Sequence, residues 1–170
     1  MNTRAQPAAD RREHQTSTAT HTAIARQLAD DTTERLLGPL DVLLGGEPPS
    51  PEVAALRSRL AADAEMWAAQ VLGEDERLAE DTASRIVSAL YRRGTDFEPP
   101  ASWWATPFGK LVARRFGHPS ATVVPATVAA AMLGITRQGV HDLVSRGKLR
   151  REPGGHGVLV SSVRERLNPA

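Results

Sequence analysis

The sequence predicts a mainly α-helical protein, in which an N-terminal helical bundle precedes a C-terminal region of short helices and one small β-hairpin. Aromatic residues make up only 4% of the 170 positions, whereas Ala, Leu and Arg are abundant, and this composition favours helices. Apolar residues also recur at steps of three and four along the N-terminal half, which is the period of a helix face. A chain of this length is expected to form one or two small domains.

Charge is divided unevenly along the chain. Residues 1–100 contain eleven Lys and Arg against seventeen Asp and Glu, whereas residues 101–170 contain ten against three. The formal net charge of +1 therefore hides a balance of −6 in the first part and +7 in the second. A basic region beside an acidic one is typical of a nucleic-acid-binding module joined to a domain that does not bind nucleic acid.

The N-terminal region carries the signals of a tail followed by helices. Residues 1–18 are polar and are expected to form a disordered tail, and residues 19–93 are expected to form the bundle. The first helix should begin at Thr20 or Thr22 and end at Leu37, because the Gly-Pro pair that follows breaks or kinks a helix.

Two further helices are predicted in this region. Ser50 is a good N-cap and Pro51 suits the first position of a helix. The apolar residues that follow predict one buried stripe: Val53, Leu56, Leu60, Ala64, Trp67 and Val71. Asp75 is expected to cap a third helix that ends at Arg93. Its stripe comprises Leu78, Thr82, Ile86 and Leu90.

Residues 94–105 have the composition of a linker between the two parts. Trp103 and Trp104 lie near its end and are expected to pack the junction, with base stacking as the alternative. Thr106 as N-cap and Pro107 at the next position predict the start of another helix. The basic face of that helix comprises Lys110, Arg114 and Arg115.

Residues 128–149 predict two short helices joined by a sharp turn. Small residues in the first helix allow a partner helix to approach closely. Gly134 supplies the left-handed backbone that a tight helix exit needs. Ile135 is expected to fill the angle between the helices, and Thr136 is a good N-cap for the second one.

The second of these helices has an apolar face and a polar face. The apolar face comprises Val140, Leu143 and Val144. Arg137, Gln138 and His141 lie on the polar face in the first turn and a half, where the recognition helix of a helix-turn-helix meets base edges. Arg can pair with guanine and Gln with adenine. The alternative is an ordinary helical hairpin with a solvated polar face.

A hairpin and a last helix follow. Residues 153–157 have turn composition, and residues 158–160 are rich in β-branched side chains and predict a strand. Ser161 or Ser162 should then cap a short helix over residues 163–167. The order helix, turn, helix, hairpin, helix predicts a winged helix-turn-helix.

Residues 123–167, about a quarter of the chain, resemble the winged DNA-binding domain of MerR-like and excisionase-type proteins. The resemblance lies in the wing glycines and in Ala129, Ala130, Leu133, Gly134, Ile135, Thr136, Arg137, Val140, Leu143, Val144, Gly147, Lys148 and Leu149. It implies that the wing adds basic contacts to DNA. This wing departs from that pattern, because its tip has His156 but no Lys or Arg. Arg150 and Arg151, on the incoming strand, are therefore the better candidates.

We expect a sequence-specific protein that binds double-stranded DNA and regulates transcription, with Arg137, Gln138 and His141 reading bases. The residues expected to hold phosphates are Thr136, Arg146, Lys148, Arg150, Arg151, Lys110, Arg114 and Arg115. Two alternatives stay open. An excisionase-like protein would bend DNA, and a protein-interaction adaptor would keep the helix-turn-helix without binding DNA. Asp142 and the neutral wing tip favour the adaptor, whereas the +7 balance opposes it.

A homodimer is expected to form through the N-terminal helices. Helix-turn-helix proteins commonly dimerise so that two recognition helices reach successive major grooves. The N-terminal bundle is large enough for that role, so part of its apolar surface could serve self-association rather than the core.

No set of residues indicates catalysis, so we expect no enzyme, no cofactor and no metal. The sequence lacks a phosphate-binding Gly loop with Lys, an HExxH pair and EF-hand spacing. Without Cys it has neither disulfides nor thiolate metal sites. The His residues lack ligand spacing, and His118 and His156 are expected to be solvated in loops. No signal peptide or membrane-spanning run is evident, so a cytoplasmic location is expected, nucleoid-associated in a prokaryote.

Overall fold

The computed structural model describes residues 8–45, 50–93, 96–97 and 99–169, and their side chains except at 8–16, 92–93 and 96. These residues are mainly helical with short antiparallel strand pairs, which confirms the predicted mainly α class. The chain divides into two compact units, Met1–Ala79 and Glu80–Ala170. In the described ranges, no helix combines the length and the apolar character needed to cross a membrane.

The first unit begins with a long helix, α1 (Ala8–Thr32). We expected a tail over residues 1–18 and a helix from Thr20 or Thr22. The helix starts earlier than that, and residues 1–7 lie outside the described residues. Ala, Arg, Glu and Gln dominate the added turns, and these strong helix formers favour a helix even without an apolar face.

The predicted break or kink at the Gly-Pro pair is a widened helical turn. A π-helix, Thr33–Leu37, follows α1 and leads into α2 (Gly38–Leu43), whose first turn contains Pro39. The Gly38 N–H donates to the Thr33 carbonyl, five residues back. Because a proline ring crowds the carbonyl of the preceding turn, a wider turn accommodates it without ending the helical stretch.

Helix α3 (Pro51–Leu72) begins as predicted, because the Ser50 Oγ accepts a hydrogen bond from the Val53 N–H at 3.2 Å. Helix α3 packs mainly against α1. The buried apolar residues of the two helices are Ile24, Ala25, Leu28, Val53, Ala64, Ala68 and Val71. Leu56 was predicted to be in this stripe but is 45% exposed. It lies about 60° around the helix from the line that joins Val53 and Val71.

Helix α4 (Glu76–Tyr91) spans the division between the units. Asp75 caps it as predicted, since its Oδ1 accepts the Leu78 N–H at 3.0 Å. From Glu80 onwards the helix belongs to the second unit, so the three helices expected over residues 19–93 do not share one unit. Leu78 is exposed. The buried line of α4 is Ala79, Thr82, Ala83, Ile86, Val87, Leu90 and Tyr91.

The second unit contains further short elements. They are β1 (Arg92–Arg93), β2 (Asp96–Phe97), a 3-10 helix (Ala101–Ala105), α5 (Pro107–Arg115), β3 (Val123–Val124), α6 (Ala126–Leu133), α7 (Arg137–Ser145), β4 (Val158–Leu159) and α8 (Val160–Leu167). Strand β1 pairs with β2. Helix α5 begins as predicted, because the Thr106 Oγ1 accepts the Gly109 N–H at 3.1 Å. Helix α5 contacts α6 and α8.

An aromatic cluster occupies the place of the expected linker. Trp103 and Trp104 are buried, with ring centroids 5.0 Å apart. Tyr91, Phe97 and Phe108 lie around Trp103 at centroid distances of 5.3, 5.4 and 5.9 Å. Tilted and edge-to-face contacts of this kind stabilise a core. The two tryptophans were expected to pack the junction between the two parts of the chain, and they pack instead with aromatic residues of the second unit. Both are too buried to stack on bases.

The predicted hairpin is present in part and has an additional partner. Val158 forms one antiparallel bridge with Arg151, and the Leu159 N–H donates to the Arg150 carbonyl at 2.9 Å. Strand β4 also pairs with β3, which the sequence did not indicate, in the register Val123 with Leu159. The last helix begins at Val160 rather than at residue 163, so the serines expected to cap it lie inside α8.

Candidate nucleic-acid interface

Two local hydrogen-bond patterns hold α6 and α7 at a defined turn. Gly134 has φ 67°, and at the exit of α6 the N–H groups of Gly134 and Ile135 donate to the carbonyls of Ala131 and Ala130. This Schellman arrangement requires left-handed backbone, which glycine adopts at least cost. Two residues later, the Thr136 Oγ1 accepts the Gly139 N–H at 3.0 Å and caps α7. Both features agree with the sequence prediction.

Ile135, which was predicted to fill the angle between α6 and α7, is only partly buried. Ile135 is 39% exposed, whereas Met132 and Val140 are buried. Ile135 has already left the helix at the turn, so its side chain lies on the outside of the first turn of α7, next to Gly139. Ile135 is therefore only partly buried, and the buried residues on either side of the turn are Met132 and Val140.

The outer face of α7 carries the three side chains that were predicted to read bases. Arg137 and Gln138 are exposed, and His141 is half-buried. Gln138 Nε2 donates to the Asp142 Oδ1 at 3.0 Å, one helical turn further along. Within the described part of the chain, the Arg137 side chain makes no hydrogen bond or ion pair. The structure therefore brings the three side chains together on one short, capped helix.

Arg151 reaches α7 from the hairpin. Its Nη2 lies 3.1 Å from His141 Nδ1. A guanidinium can only donate hydrogen bonds, so His141 Nδ1 is the acceptor and the ring proton is on Nε2. Arg151 was predicted to hold phosphates, and the structure places it against the predicted reading face.

Arg150 is engaged elsewhere. Its guanidinium donates to both carboxylate oxygens of Glu165 on α8, at 2.9 and 2.6 Å. The hydrogen bond to Glu165 raises the pKa of Arg150, and the same hydrogen bond lowers the pKa of Glu165. The two predicted cations of the incoming strand therefore have different surroundings, one against α7 and the other neutralised by a carboxylate.

The remaining predicted phosphate contacts fall into two groups. Thr136, Arg146 and Lys148 flank α7 and are exposed, and neither Arg146 nor Lys148 is ion-paired within the described ranges. Lys110, Arg114 and Arg115 lie on α5. Lys110 and Arg114 are exposed, whereas Arg115 is half-buried with its guanidinium carbon 5.6 Å from the centroid of the Phe116 ring.

Ser162 was predicted as a candidate cap of the last helix, but its hydroxyl has a different structural role. Its buried hydroxyl accepts the Arg150 N–H at 3.1 Å and donates to the Leu159 carbonyl at 2.8 Å. It thereby joins the incoming strand to the start of α8. A serine within a short polar run gives no signal of such a contact, because its partner is twelve residues away.

No family model, curated protein or solved structure matches this chain. Across the described residues, no three His, Asp or Glu side chains gather closely enough to hold a metal ion.

His118 is half-buried rather than solvated as expected. It lies 5.6 Å from Trp104 and 5.4 Å from Phe97, measured between ring centroids. The Ser120 N–H donates to its Nδ1 at 3.3 Å. Burial lowers the pKa of His118. The ring also lines an open pocket of about 200 Å³, together with Glu80, Asp81 and apolar side chains of α4 and α5.

Proposed function

We propose that this protein binds double-stranded DNA in a sequence-specific manner and acts as a transcriptional regulator. In this proposal α6 and α7 form a helix-turn-helix, and residues 151–157 form the wing of a winged domain. The observation that carries the proposal is the polar face of α7, where Arg137, Gln138 and His141 project from a helix held by a Schellman turn and a threonine cap. A short rigid helix of this kind fits the major groove.

The distribution of cations supports the same function. Lys148 and Arg146 follow the reading face directly and have no carboxylate partner among the described residues. Residues 80–170 contain thirteen Lys and Arg against seven Asp and Glu. Cations of this kind hold phosphates and fix the register of a protein on DNA, whereas contacts to base edges supply the sequence preference.

A second candidate function is a protein-interaction adaptor that does not bind DNA. Two observations favour it: Asp142 places a carboxylate on the outer face of α7, and Glu165 occupies Arg150. DNA phosphates would be repelled by both carboxylates if they were free. In the structure the Arg150 guanidinium offsets the charge of Glu165, whereas the neutral amide of Gln138 leaves the charge of Asp142 in place.

We further propose that the first unit mediates a homodimer. An apolar patch, defined here as Leu36, Val42, Leu43, Leu44 and Leu56, is exposed on the π-helix, α2 and the start of α3. Asp41 Oδ2 lies 3.6 Å from Arg57 Nη2, so α2 and the start of α3 adjoin. A two-fold dimer places the same patch on both partners, and helix-turn-helix proteins commonly bind DNA as dimers.

DNA binding is tested by fluorescence anisotropy over a salt series, on a selected duplex and on a random one. The affinity of the wild-type protein should fall with salt at a log–log slope of about −0.9 for each phosphate contacted. The double change Arg137→Ala/Gln138→Ala should abolish the preference for the selected duplex but keep most of the salt slope. Undetectable binding at low salt to both duplexes would exclude the proposal and favour the adaptor.

A further inference from the structure

We propose that Asp142 and Arg151 are positioning residues that determine which base edges Gln138 and His141 recognise; this inference rests on the function proposed above. The observations that carry it are the two side-chain hydrogen bonds on the reading face, Gln138 with Asp142 and Arg151 with His141. In each bond, a side chain proposed to read bases is held by a neighbour with one possible role. The Asp142 carboxylate can only accept a hydrogen bond, and the Arg151 guanidinium can only donate one.

The carboxylate of Asp142 orients the amide of Gln138. An ionised carboxylate only accepts hydrogen bonds, so the amide nitrogen of Gln138 must face it and the amide oxygen must face away. Gln138 then presents the oxygen as an acceptor and its second N–H as a donor. Adenine requires this pair, because it offers the N6 amino group as donor and N7 as acceptor in the major groove.

The guanidinium of Arg151 selects the tautomer of His141. Since Nδ1 accepts the hydrogen bond from Arg151, the proton is on Nε2 and His141 offers a donor to its surroundings. A donor matches N7 of either purine, O6 of guanine or O4 of thymine, whereas cytosine offers only an amino donor in the major groove and is disfavoured. Arg151 therefore contributes to base specificity by fixing the tautomer of His141.

The first test requires no DNA. Nitrogen-15 NMR of the imidazoles of the full chain reports which ring nitrogen carries the proton. The wild-type protein at a pH where His141 is neutral should show the Nε2–H form, whereas Arg151→Ala should show a mixture of both tautomers. Lys148→Ala removes the same charge without touching His141 and should keep the wild-type tautomer. An unchanged tautomer in Arg151→Ala would overturn the role of Arg151.

The second test is selection of bound duplexes from a randomised library. For the wild-type protein we expect a preferred site containing an adenine read by Gln138. Asp142→Ala should lower the preference for that adenine by about 2- to 10-fold, the range for one hydrogen bond. Asp142→Asn keeps an oxygen that can accept from Gln138 and should restore the preference. Glu152→Ala removes a carboxylate from the hairpin and should leave the preference unchanged.

The possible results distinguish a failure of sequence-specific DNA binding from a failure of the positioning role of Asp142. If the wild-type protein enriches no sequence, the function proposed above fails. If it enriches a site and Asp142→Ala prefers the same adenine to the same degree, only the positioning role of Asp142 fails. If Asp142→Ala and Asp142→Asn tighten binding to all duplexes equally and leave the preference intact, Asp142 acts through its charge alone and the inference is overturned.

Discussion

Arg150 and Glu165 form a bidentate ion pair that joins the segment leading into the hairpin to helix α8. The guanidinium and the carboxylate meet through hydrogen bonds of 2.9 and 2.6 Å, although the two residues are fifteen positions apart in the chain. Arg150 is therefore less available to a DNA phosphate than Lys148, which has no such partner among the described residues. If the protein binds DNA as proposed, Lys148 should therefore contribute more to phosphate binding than Arg150.

We predict that Arg150→Ala reduces the salt slope of DNA binding less than Lys148→Ala does. Lys148→Ala should remove one phosphate contact, which lowers the magnitude of the slope by about 0.9. Glu165→Gln should instead raise affinity for random duplex, because it frees the Arg150 guanidinium. Anisotropy over a salt series measures all three. Glu152→Gln is the matched control for lost charge, and an equal gain in affinity from it would argue against release of Arg150.

Gly109 lies where α5 passes the backbone of Trp103, and a Cβ at this position would overlap the Trp103 carbonyl. We predict that Gly109→Ala lowers the free energy of unfolding by about 1–3 kcal/mol, the usual cost of overpacking. Gly139→Ala is the matched control, because its Cβ would meet only ordinary contacts at 3.4 Å or more. It should be neutral or stabilise the helix by up to about 1 kcal/mol. Chemical denaturation compares the two, and equal effects would contradict the close approach at Gly109.

Burial lowers the pKa of His118, so its neutral form is favoured in the folded state. The unfolded chain takes up the proton at a higher pH than the folded chain does. Stability is therefore fully present above the unfolded pKa of about 6.5 and declines as the pH falls toward the lowered folded pKa. Glu80 and Asp81 line the same pocket.

We predict that His118→Gln reduces the loss of stability between pH 7.5 and pH 5, as measured by chemical denaturation at both values. The replacement stays neutral at either pH and so does not favour the unfolded state in acid. His156→Gln changes an exposed histidine and should leave the loss as large as in the wild-type protein. If His118→Gln loses as much stability between pH 7.5 and pH 5 as the wild-type protein, groups other than His118 cause the acid sensitivity.

The apolar patch of the first unit offers a test of self-association. Val42 and Leu43 are 77% and 83% exposed, so replacing both by Glu should leave the fold intact. We predict that this double change converts a dimer into a monomer in light scattering. Ala62→Glu with Ala69→Glu adds the same charge on an exposed face of α3 and should not alter the mass. A wild-type protein that is monomeric at working concentration would remove the dimer proposal.

Local signals predicted the starts of four helices and the exit of one. Ser50, Asp75, Thr106 and Thr136 all cap helices as expected, and Gly134 has the left-handed backbone that its position indicated. Each of these features depends on residues within four positions of one another. The polar face of α7 was predictable for the same reason, because helical periodicity alone places Arg137, Gln138 and His141 together.

Features that depend on distant residues could not be predicted. The division of the chain within α4 and the burial of Trp103 arise from tertiary packing, which overrides the linker composition of the intervening segment. The electrostatic surroundings of Arg150 and Arg151 are equally non-local. Two adjacent arginines look equivalent in the sequence, yet one faces Glu165 and the other faces His141.

The pairing of Val123 with Leu159 closes a loop of 36 positions that contains both α6 and α7. Closing such a loop costs chain entropy before any contact across it forms, and this cost is paid once for the whole segment. The two helices can form early from local contacts, whereas their final orientation depends on a strand, β4, that follows both of them in the chain. A nascent chain that lacks β4 would thus contain α7 without the strand pairing that fixes its orientation.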